Sequence, residues 1–397
     1  MKFGLFYELQ YPRPWRANGE LELLDQALEQ VELADRCGFD YVWTVEHHFL
    51  EEYAHSSAPE VFLAACSQRT HTIRLGHGVV LTAPAYNHPA RVAERIAMLD
   101  LISHGRVEFG SGESSSEIEL GGFNLARADK RALWQEGLGV ACRLMVEEPF
   151  SGHQGAYLRM PARNLVPKPL QKPHPPLWVA CSERETIKRA ARLGLGALSF
   201  AFISPEEARQ WVDEYHRILE RECEPIGYTV NPQIAIVVPM MCAHSQRQAW
   251  MMGGEGFRFF AYALGHYYVF GQHQPGRTDI YAEFKQAANM AAATPPGFTC
   301  IGTPDEIGAT LRAYEAAGVD QVAFVSQAGN NRHQDICRSL QLFAAQVMPE
   351  FKQRELEGAA SRQARLAPII DAALARKPAP ASSAEIAVVK AASGGVF

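Results

Sequence analysis

The sequence has no Cys-x-x-Cys pair, no apolar run approaching a membrane span, no concentrated basic stripe and no internal repeat beyond the alternation described below. Its eight cysteines (37, 66, 142, 181, 223, 242, 300 and 337) are scattered through helix-like and strand-like stretches. That spacing argues against a disulfide frame or a zinc site and fits buried thiols in a reducing cytoplasm. A net charge of −6 without a basic stripe argues against a nucleic-acid partner. The opening run Met1 to Tyr7 is too short for a signal peptide and leads directly into a first strand. The chain also lacks the Lys-Ser/Thr of a phosphate-binding P-loop and the full spacing of a dinucleotide fingerprint.

What is present is regular. With 397 residues, 47% of them hydrophobic, the chain can build one large core or two ordinary domains. Strand-like runs occur at Phe3 to Tyr7, Tyr41 to Val45, Ile73 to Leu81, Val107 to Gly110, Leu177 to Ala180, Ala197 to Phe200, Ile234 to Met240 and Gln321 to Val325. Helix-like patterns alternate with them, several carrying start and stop signals such as Ser204-Pro205-Glu206-Glu207, Thr303-Pro304-Asp305-Glu306 and the glycines 38, 194 and 318. About eight strands in βα alternation predict an α/β fold of the (β/α)8 TIM-barrel type. The expected organisation is one barrel domain over 1–350, with insertions around 150–176 and 251–298, then an extension over 351–397 that is helical and afterwards disordered. The first insertion is rich in Pro and Gly and reads as a surface excursion with a short hairpin; the second reads as long, irregular and aromatic, either a lid or substrate wall or a subunit contact.

Four stretches carry residues suited to chemistry. Glu46-His47-His48-Phe49 stands where the buried run Tyr41 to Val45 ends, and ligands sit at the ends of parallel strands. One imidazole there can act as acid or base with a carboxylate setting its tautomer; alternatively one ring packs in the barrel and the other meets solvent. A metal is disfavoured because consecutive strand residues alternate faces. Gly105 to Ser116, with Gly110, Gly112 and Ser114, is either a backbone approach to a planar or phosphorylated ligand or a simple tight turn. Val179-Ala180-Cys181-Ser182-Glu183-Arg184-Glu185-Thr186 places Ser182 as a helix N-cap with Glu185 at the capping-box position, an anion site or an ordinary box. Gly76-His77-Gly78-Val79-Val80 sets two glycines inside a strand, a ligand face or a barrel bulge.

Taken in order, these motifs resemble the bacterial luciferase-like flavin-dependent monooxygenase superfamily. The resemblance is carried by Met1-Lys2-Phe3-Gly4, Cys37 to Trp43, Glu46-His47-His48-Phe49, the segment from Gly76 to Asn87-His88-Pro89, Arg91-Val92-Ala93-Glu94, Leu99-Asp100, Gly105 to Gly110 and Gly302 to Glu306, over about residues 1 to 348. It implies a (β/α)8 barrel, usually a homodimer, that binds reduced FMN (FMNH2) at the strand ends and activates O2 as a flavin hydroperoxide. By motif position it makes His47 the catalytic histidine, with Glu46 and His48 beside it. Gly78-Val79 matches the place of a cis peptide under the isoalloxazine, and Ser182 and Thr186 fall near the phosphate-binding helix start, lined by Ala180, Cys181 and Glu185. Phe200 takes the place of a ring wall. Where the luciferase α subunit has a Cys-Arg pair, this chain has Gly112-Glu113, so the resemblance leaves Arg131 or Arg184 to supply the charge for the phosphate.

The expected function is therefore an FMN-dependent monooxygenase supplied with reduced flavin by a separate NAD(P)H:flavin reductase, since the chain has no dinucleotide fingerprint of its own. The aromatic second insertion favours an apolar organic substrate such as an aldehyde, ketone or aromatic, or else those rings are core or dimer contact. Three rivals remain: a deazaflavin-dependent dehydrogenase on the same barrel, a non-catalytic flavin-binding protein, and a metal-dependent hydrolase using His47 and His48.

Overall fold

The computed structural model describes residues 1–114, 116–125, 129–200, 202–288, 299–377 and 388. Among the described residues the strands are β1 (Lys2–Tyr7), β2 (Tyr41–Thr44), β3 (Arg74–His77), β4 (Val80–Leu81), β5 (Val107–Gly112), β6 (His153–Gln154), β7 (Arg159–Met160), β8 (Leu177–Cys181), β9 (Gly196–Ser199), β10 (Ile234–Cys242), β11 (Cys300–Gly302) and β12 (Gln321–Val325). Eight of them close a parallel ring in the order β1-β2-β3-β5-β8-β9-β10-β12 and back to β1, while β4 pairs β5 and β11 pairs β10 beside it. The expected hairpin in the first insertion is the antiparallel β6–β7 pair.

Helices follow the strands: α1 (Gly19–Cys37), α2 (Pro59–Arg69), α3 (Pro89–Ile102), α4 (Glu117–Gly122), α5 (Lys130–Val146), α6 (Arg184–Arg192), α7 (Pro205–Glu222), α8 (Gln246–Gly265), α9 (Ile280–Ala288), α10 (Pro304–Ala316), α11 (His333–Gln346) and α12 (Met348–Arg376). Their boundaries have local causes. Thr303 and Glu306 form a reciprocal capping box ahead of α10, Ser204 accepts from the Glu207 amide ahead of α7, and Gly38 ends α1 in the left-handed region at φ 86°.

Side chains alternate strictly across the ring, as the two-residue period of a strand requires. Phe3, Leu5, Val42, Leu75, Phe109, Val179 and Phe324 point outward into the layer shared with the helices. Phe6, Trp43, Trp178, Leu198, Val237 and Ala323 point inward. Two fully buried tryptophans fill the barrel, and each indole N–H has a partner: Trp43 donates to Gln321 and Trp178 to Glu108, both at 2.6 Å. Gly76 is the counterpart of that packing, because a Cβ there would meet the Trp43 ring at 2.2 Å.

Three expectations are corrected. The run Ile73 to Leu81 is not one strand: it breaks between β3 and β4 at Gly78-Val79, whose peptide is cis. The segment 251–298 is mostly helical where it is described, and irregular only over 271–279. It continues α8 through a π-helical turn (His266–Phe270) and then forms α9; the period-3.6 spacing of its rings was masked by Gly253, Gly254 and Gly265. The extension is helical through α12, packed back on the barrel by ion pairs of Lys352 with Asp40 and of Arg362 with Asp320; residues 378–387 and 389–397, expected to be disordered, lie outside the described residues. Among the described residues no helix is long and apolar enough to cross a membrane.

Candidate active site

Parallel pairing brings the carboxyl ends of all eight ring strands to one rim. There β1 delivers Glu8, β2 delivers Glu46, His47 and His48, and β5 delivers Glu113 and Ser114 ahead of the short helix α4. The His47 side chain, 19% exposed, stands between two buried carboxylates: Nδ1 is 2.9 Å from Glu119 Oε1, and Nε2 is 3.6 Å from Glu8 Oε2. Glu119 is itself fixed by the His48 amide at 2.9 Å and by the Ser114 hydroxyl at 3.0 Å. Glu8 accepts from Tyr53 Oη at 3.1 Å through Oε1, whereas its Oε2 has no hydrogen-bond partner among the described residues.

The electrostatics follow from this enclosure. Burial by itself would lower the His47 pKa, but Glu119 first, then Glu8 and Glu46, outweigh it and carry the imidazole up to about 9. Burial would raise Glu119, yet His47 and the donors around it hold that carboxyl below its ordinary value. Glu8 goes the other way: burial pushes it up to about 7 against the opposing pull of His47 and Tyr53. The enclosure thus favours a charged imidazole fixed to one carboxylate and facing a second whose proton affinity is raised.

Glu46 and His48 pair with each other on the side away from this contact. His48 Nε2 is 3.2 Å from Glu46 Oε1, and Glu46 also accepts the Leu81 amide and the Asn87 side-chain N–H, both at 2.9 Å. The His48 ring lies edge-on to Tyr86 and Phe123. The two imidazoles therefore serve different carboxylates. Among the described residues no group of three or more His, Cys, Asp or Glu is arranged to hold a metal ion.

The other expected residues are distributed unevenly. Val79 is buried at the rim, and its carbonyl receives the Glu46 amide at 3.1 Å. Gly110 and Gly112 face the protein's own chain: a Cβ on Gly110 would lie 1.9 Å from the His77 carbonyl oxygen, and one on Gly112 would lie 2.5 Å from the Val79 side chain. They admit the Gly78-Val79 turn. Ser115, between Ser114 and α4, lies outside the described residues.

At β8 the capping-box expectation fails. α6 starts at Arg184 with Glu183 as N-cap and no side-chain cap, while Glu185 pairs with Lys188 in solvent. Uncapped first-turn amides remain at this helix start, with Ser182 just ahead of it and Thr186 buried in its first turn. Cys181 points outward into the helix layer, fully buried, and Ala180 is the β8 residue facing the interior rim. Arg184 turns away to Glu214, and Arg131 is exposed on α5. Among the described residues, the cations that reach the β5 turn are Arg189, 3.8 Å from Glu113, and Lys130, whose Nζ donates to the Ser114 carbonyl at 2.8 Å. Phe200 meets Phe6 edge-on with centroids 4.9 Å apart.

The second insertion closes over this rim. Phe259, Phe260, Ile280 and Phe284 join the inward cluster of Phe6, Trp43 and Tyr53, and Tyr267 and Tyr268 pack beside it; Phe270 is left exposed. Sequence reasoning missed Glu8, Glu119 and Tyr53. Glu8 sits directly after a buried strand, the same position that drew attention to Glu46, and Ser116-Glu117-Ile118-Glu119 is a legible helix start whose Ser116 accepts the Glu119 amide.

Comparison with known proteins agrees with this geometry. The family model for luciferase-like monooxygenases matches residues 1–321. The chain is 27% identical to the oxygenase component of the flavin-dependent trigonelline monooxygenase of Acinetobacter baylyi, over 90% of this chain and 97% of the relative. Among solved structures, the monooxygenase RslO1 from Streptomyces bottropensis superposes with a TM-score of 0.72 at 27% identity, covering 88% of this chain and all 100% of that one. The oxygenating constituent of 3,6-diketocamphane monooxygenase from Pseudomonas putida, in complex with FMN, shares the fold at TM-score 0.69 and 19% identity, over 88% and 98% of the two chains. So does the coenzyme F420 dependent tetrahydromethanopterin reductase of Methanopyrus kandleri, at TM-score 0.63 and 19% identity, over 88% and 99%. With a closed barrel, a histidine between carboxylates at its rim and a family match over most of its length, the chain belongs to the luciferase-like monooxygenase family and is, by enzyme class, a flavin-dependent monooxygenase.

Proposed function

We propose that the chain is the oxygenase half of a two-component system that takes reduced FMN from a separate reductase and uses O2 to oxygenate an apolar organic substrate, an aldehyde, ketone or aromatic. The observation that carries this reading is His47 held between Glu119 and Glu8 beneath an aromatic lid at the strand ends. The name of the Acinetobacter relative, an oxygenase component, supports a separate reductase.

The residues present fit a flavin. Among the described residues Glu8 Oε2 and Tyr86 Oη are buried polar atoms with no partner, the half-buried Phe200, backed by Phe6, offers a ring, and the uncapped start of α6 with Lys130 and Arg189 nearby suits a phosphate. When bound, the reduced cofactor supplies the electrons that activate O2. The chain's own contribution is threefold. His47 gives and takes a proton at Nε2, Glu119 holds its ring and tautomer through Nδ1, and the rings of Tyr53, Tyr267 and Tyr268 keep bulk water from the rim.

A homodimer is part of this proposal. Val61 on α2 and Met98, Leu101 and Ile102 on α3 leave apolar surface exposed, which a second copy would cover. Eight free cysteines, six of them buried, support a reducing compartment, the cytoplasm.

The test is to load the protein anaerobically with FMNH2, admit isotopically labelled O2 and follow the label into candidate substrates. Label incorporation that disappears in His47→Asn is the expected result. Tight binding of a deazaflavin with no response to FMNH2 would replace this reading with the dehydrogenase one, and flavin binding without turnover under any reductase would replace it with a storage role.

A further inference from the structure

Glu8 is 2% exposed, yet its Oε2 accepts no hydrogen bond among the described residues. A carboxylate oxygen taken out of water without a donor is costly and calls for a proton source within reach. The one at hand is His47 Nε2, 3.6 Å away. The imidazole cannot turn its other nitrogen to this task, because Nδ1 is committed to Glu119 at 2.9 Å and Glu119 is in turn pinned by the His48 amide and Ser114. Glu8 is equally fixed, through the Tyr53 hydroxyl on Oε1. We propose that Glu8 is a positioning residue for the acid–base work of His47, holding the proton that Nε2 releases and returning it, so that the ring changes protonation state while the site keeps its net charge.

This rests on the reading of His47 as the acid–base group. In the step, the Nε2–H bond of the imidazolium breaks and an O–H bond forms at Glu8 Oε2. The cation and carboxylate become a neutral imidazole and a carboxylic acid, with no electrons exchanged and no further reactant. Low polarity around the pair favours such a charge-cancelling transfer over release of the proton to bulk water. The other titratable groups around the pair are Glu119 on α4, Glu46 after β2, Tyr53 in the following loop, Tyr86 after β4 and Tyr268 in the π-helical turn. Only Glu119 and Glu8 reach the ring nitrogens among the described residues. Burial raises Glu8 to about 7, and His47, carried up mainly by Glu119 against its own burial, stands at about 9, which brings donor and acceptor toward one another.

The experiment uses the full-length, ligand-free protein. His47 ring resonances, assigned by their loss in His47→Asn, are titrated in wild type, Glu8→Gln and Glu8→Asp. Loss of the Glu8 charge is expected to lower the imidazole midpoint by about one pH unit, roughly tenfold in its proton affinity, with Glu8→Asp restoring part of it. In wild type, infrared difference spectra should show a protonated-carboxyl band that titrates near neutrality and is absent in Glu8→Gln. An unchanged His47 midpoint in folded Glu8→Gln, or no such band in wild type, overturns the proposal. Should Glu8→Gln fail to fold, Tyr53→Phe serves instead: losing the donor on Oε1 must move the carboxyl band to higher pH, and an unmoved band is equally fatal. No flavin or substrate is present, so this can fail while oxygenation stands; absence of O2-dependent turnover would defeat the oxygenase reading without touching the titration.

Discussion

Glu52 accepts the backbone N–H of Ile280 at 2.7 Å across 228 residues of sequence, which ties the loop after β2 to the first turn of α9. The same carboxylate, with a fully buried side chain, takes the Tyr281 amide at 3.2 Å and the Arg13 amide at 2.8 Å. Its neighbour Glu51 takes the Gly276 amide, and Tyr267 Oη donates to the Glu51 carbonyl, both at 2.7 Å. The aromatic lid is thus fastened to the loop that carries His47, not merely laid over it.

Replacing Glu52 by Ala strands three donors, at least one of them buried, and should destabilise the chain by about 2–4 kcal/mol, with the loss concentrated in the lid. Hydrogen exchange at the Ile280 and Tyr281 amides is the measurement, since local opening reports there first. Exchange as slow as in wild type would mean that the apolar contacts of Phe259 and Phe284 hold the lid unaided.

Two glycines make a matched pair for testing the β5 turn. A Cβ on Gly110 would meet backbone, the His77 carbonyl oxygen, which cannot swing aside as a side-chain tip can. Gly110→Ala should cost about 1–3 kcal/mol by overpacking and lower the melting temperature. Gly121→Ala, in α4 with nothing within 4 Å of its Cβ, should be neutral or raise stability by about 0.5–1 kcal/mol. Equal melting temperatures for the two variants would refute the account of why glycine follows Phe109.

His47 should leave a mark on stability against pH. Its folded pKa, about 9, lies above the ordinary value of 6.5, so the stabilisation it provides is complete below about pH 6.5 and is lost as pH rises through 9. Glu119, held low, contributes in the opposite sense: its share is present above the ordinary carboxylate value and lost as pH falls through its depressed one. The unfolding free energy of wild type should therefore fall between pH 6.5 and 9 more than that of His47→Asn, by about 2–3 kcal/mol at most, and the melting temperatures should diverge accordingly. Parallel curves would show that the imidazole is not charged in the folded chain.

Most of the architecture was legible in the sequence because burial dictates it. Seven of the eight strand-like runs and their intervening helices read correctly since each buried face repeats with the period of its element; the eighth, Ile73 to Leu81, breaks into β3 and β4, and Thr303 and Ser204 announce their helices by their own hydrogen bonds. The site was legible only along the chain. Glu46, His47 and His48 could be found as neighbours in sequence, but the partners of His47 come from β1 and α4, 39 and 72 residues away, and nothing local distinguishes Glu119 from an ordinary helix-start acid. Arg184 misled for the same reason: adjacency to Ser182 suggested a role, while the helix geometry turns its guanidinium to Glu214 and sends Arg189, one and a half turns on, back to Glu113.

That last exchange separates two assignments of the positive charge expected to face a flavin phosphate. Arg189 is only 18% exposed and lies against Glu113, one of whose oxygens is buried without a hydrogen-bond donor among the described residues, whereas the Arg184 side chain is 51% exposed and already paired. Under the proposed function, Arg189→Ala should weaken FMN binding about tenfold, close to 1.4 kcal/mol, and leave riboflavin, which has no phosphate, unaffected. Arg184→Ala should change neither. Removing the opposing acid, Glu113→Gln, should strengthen FMN binding, since a carboxylate beside a phosphate repels it. Fluorescence-quenching titrations of each variant with FMN and riboflavin decide the matter: equal losses for both ligands in Arg189→Ala would indicate a damaged pocket, and a selective loss in Arg184→Ala would return the phosphate to the helix start that the sequence first suggested.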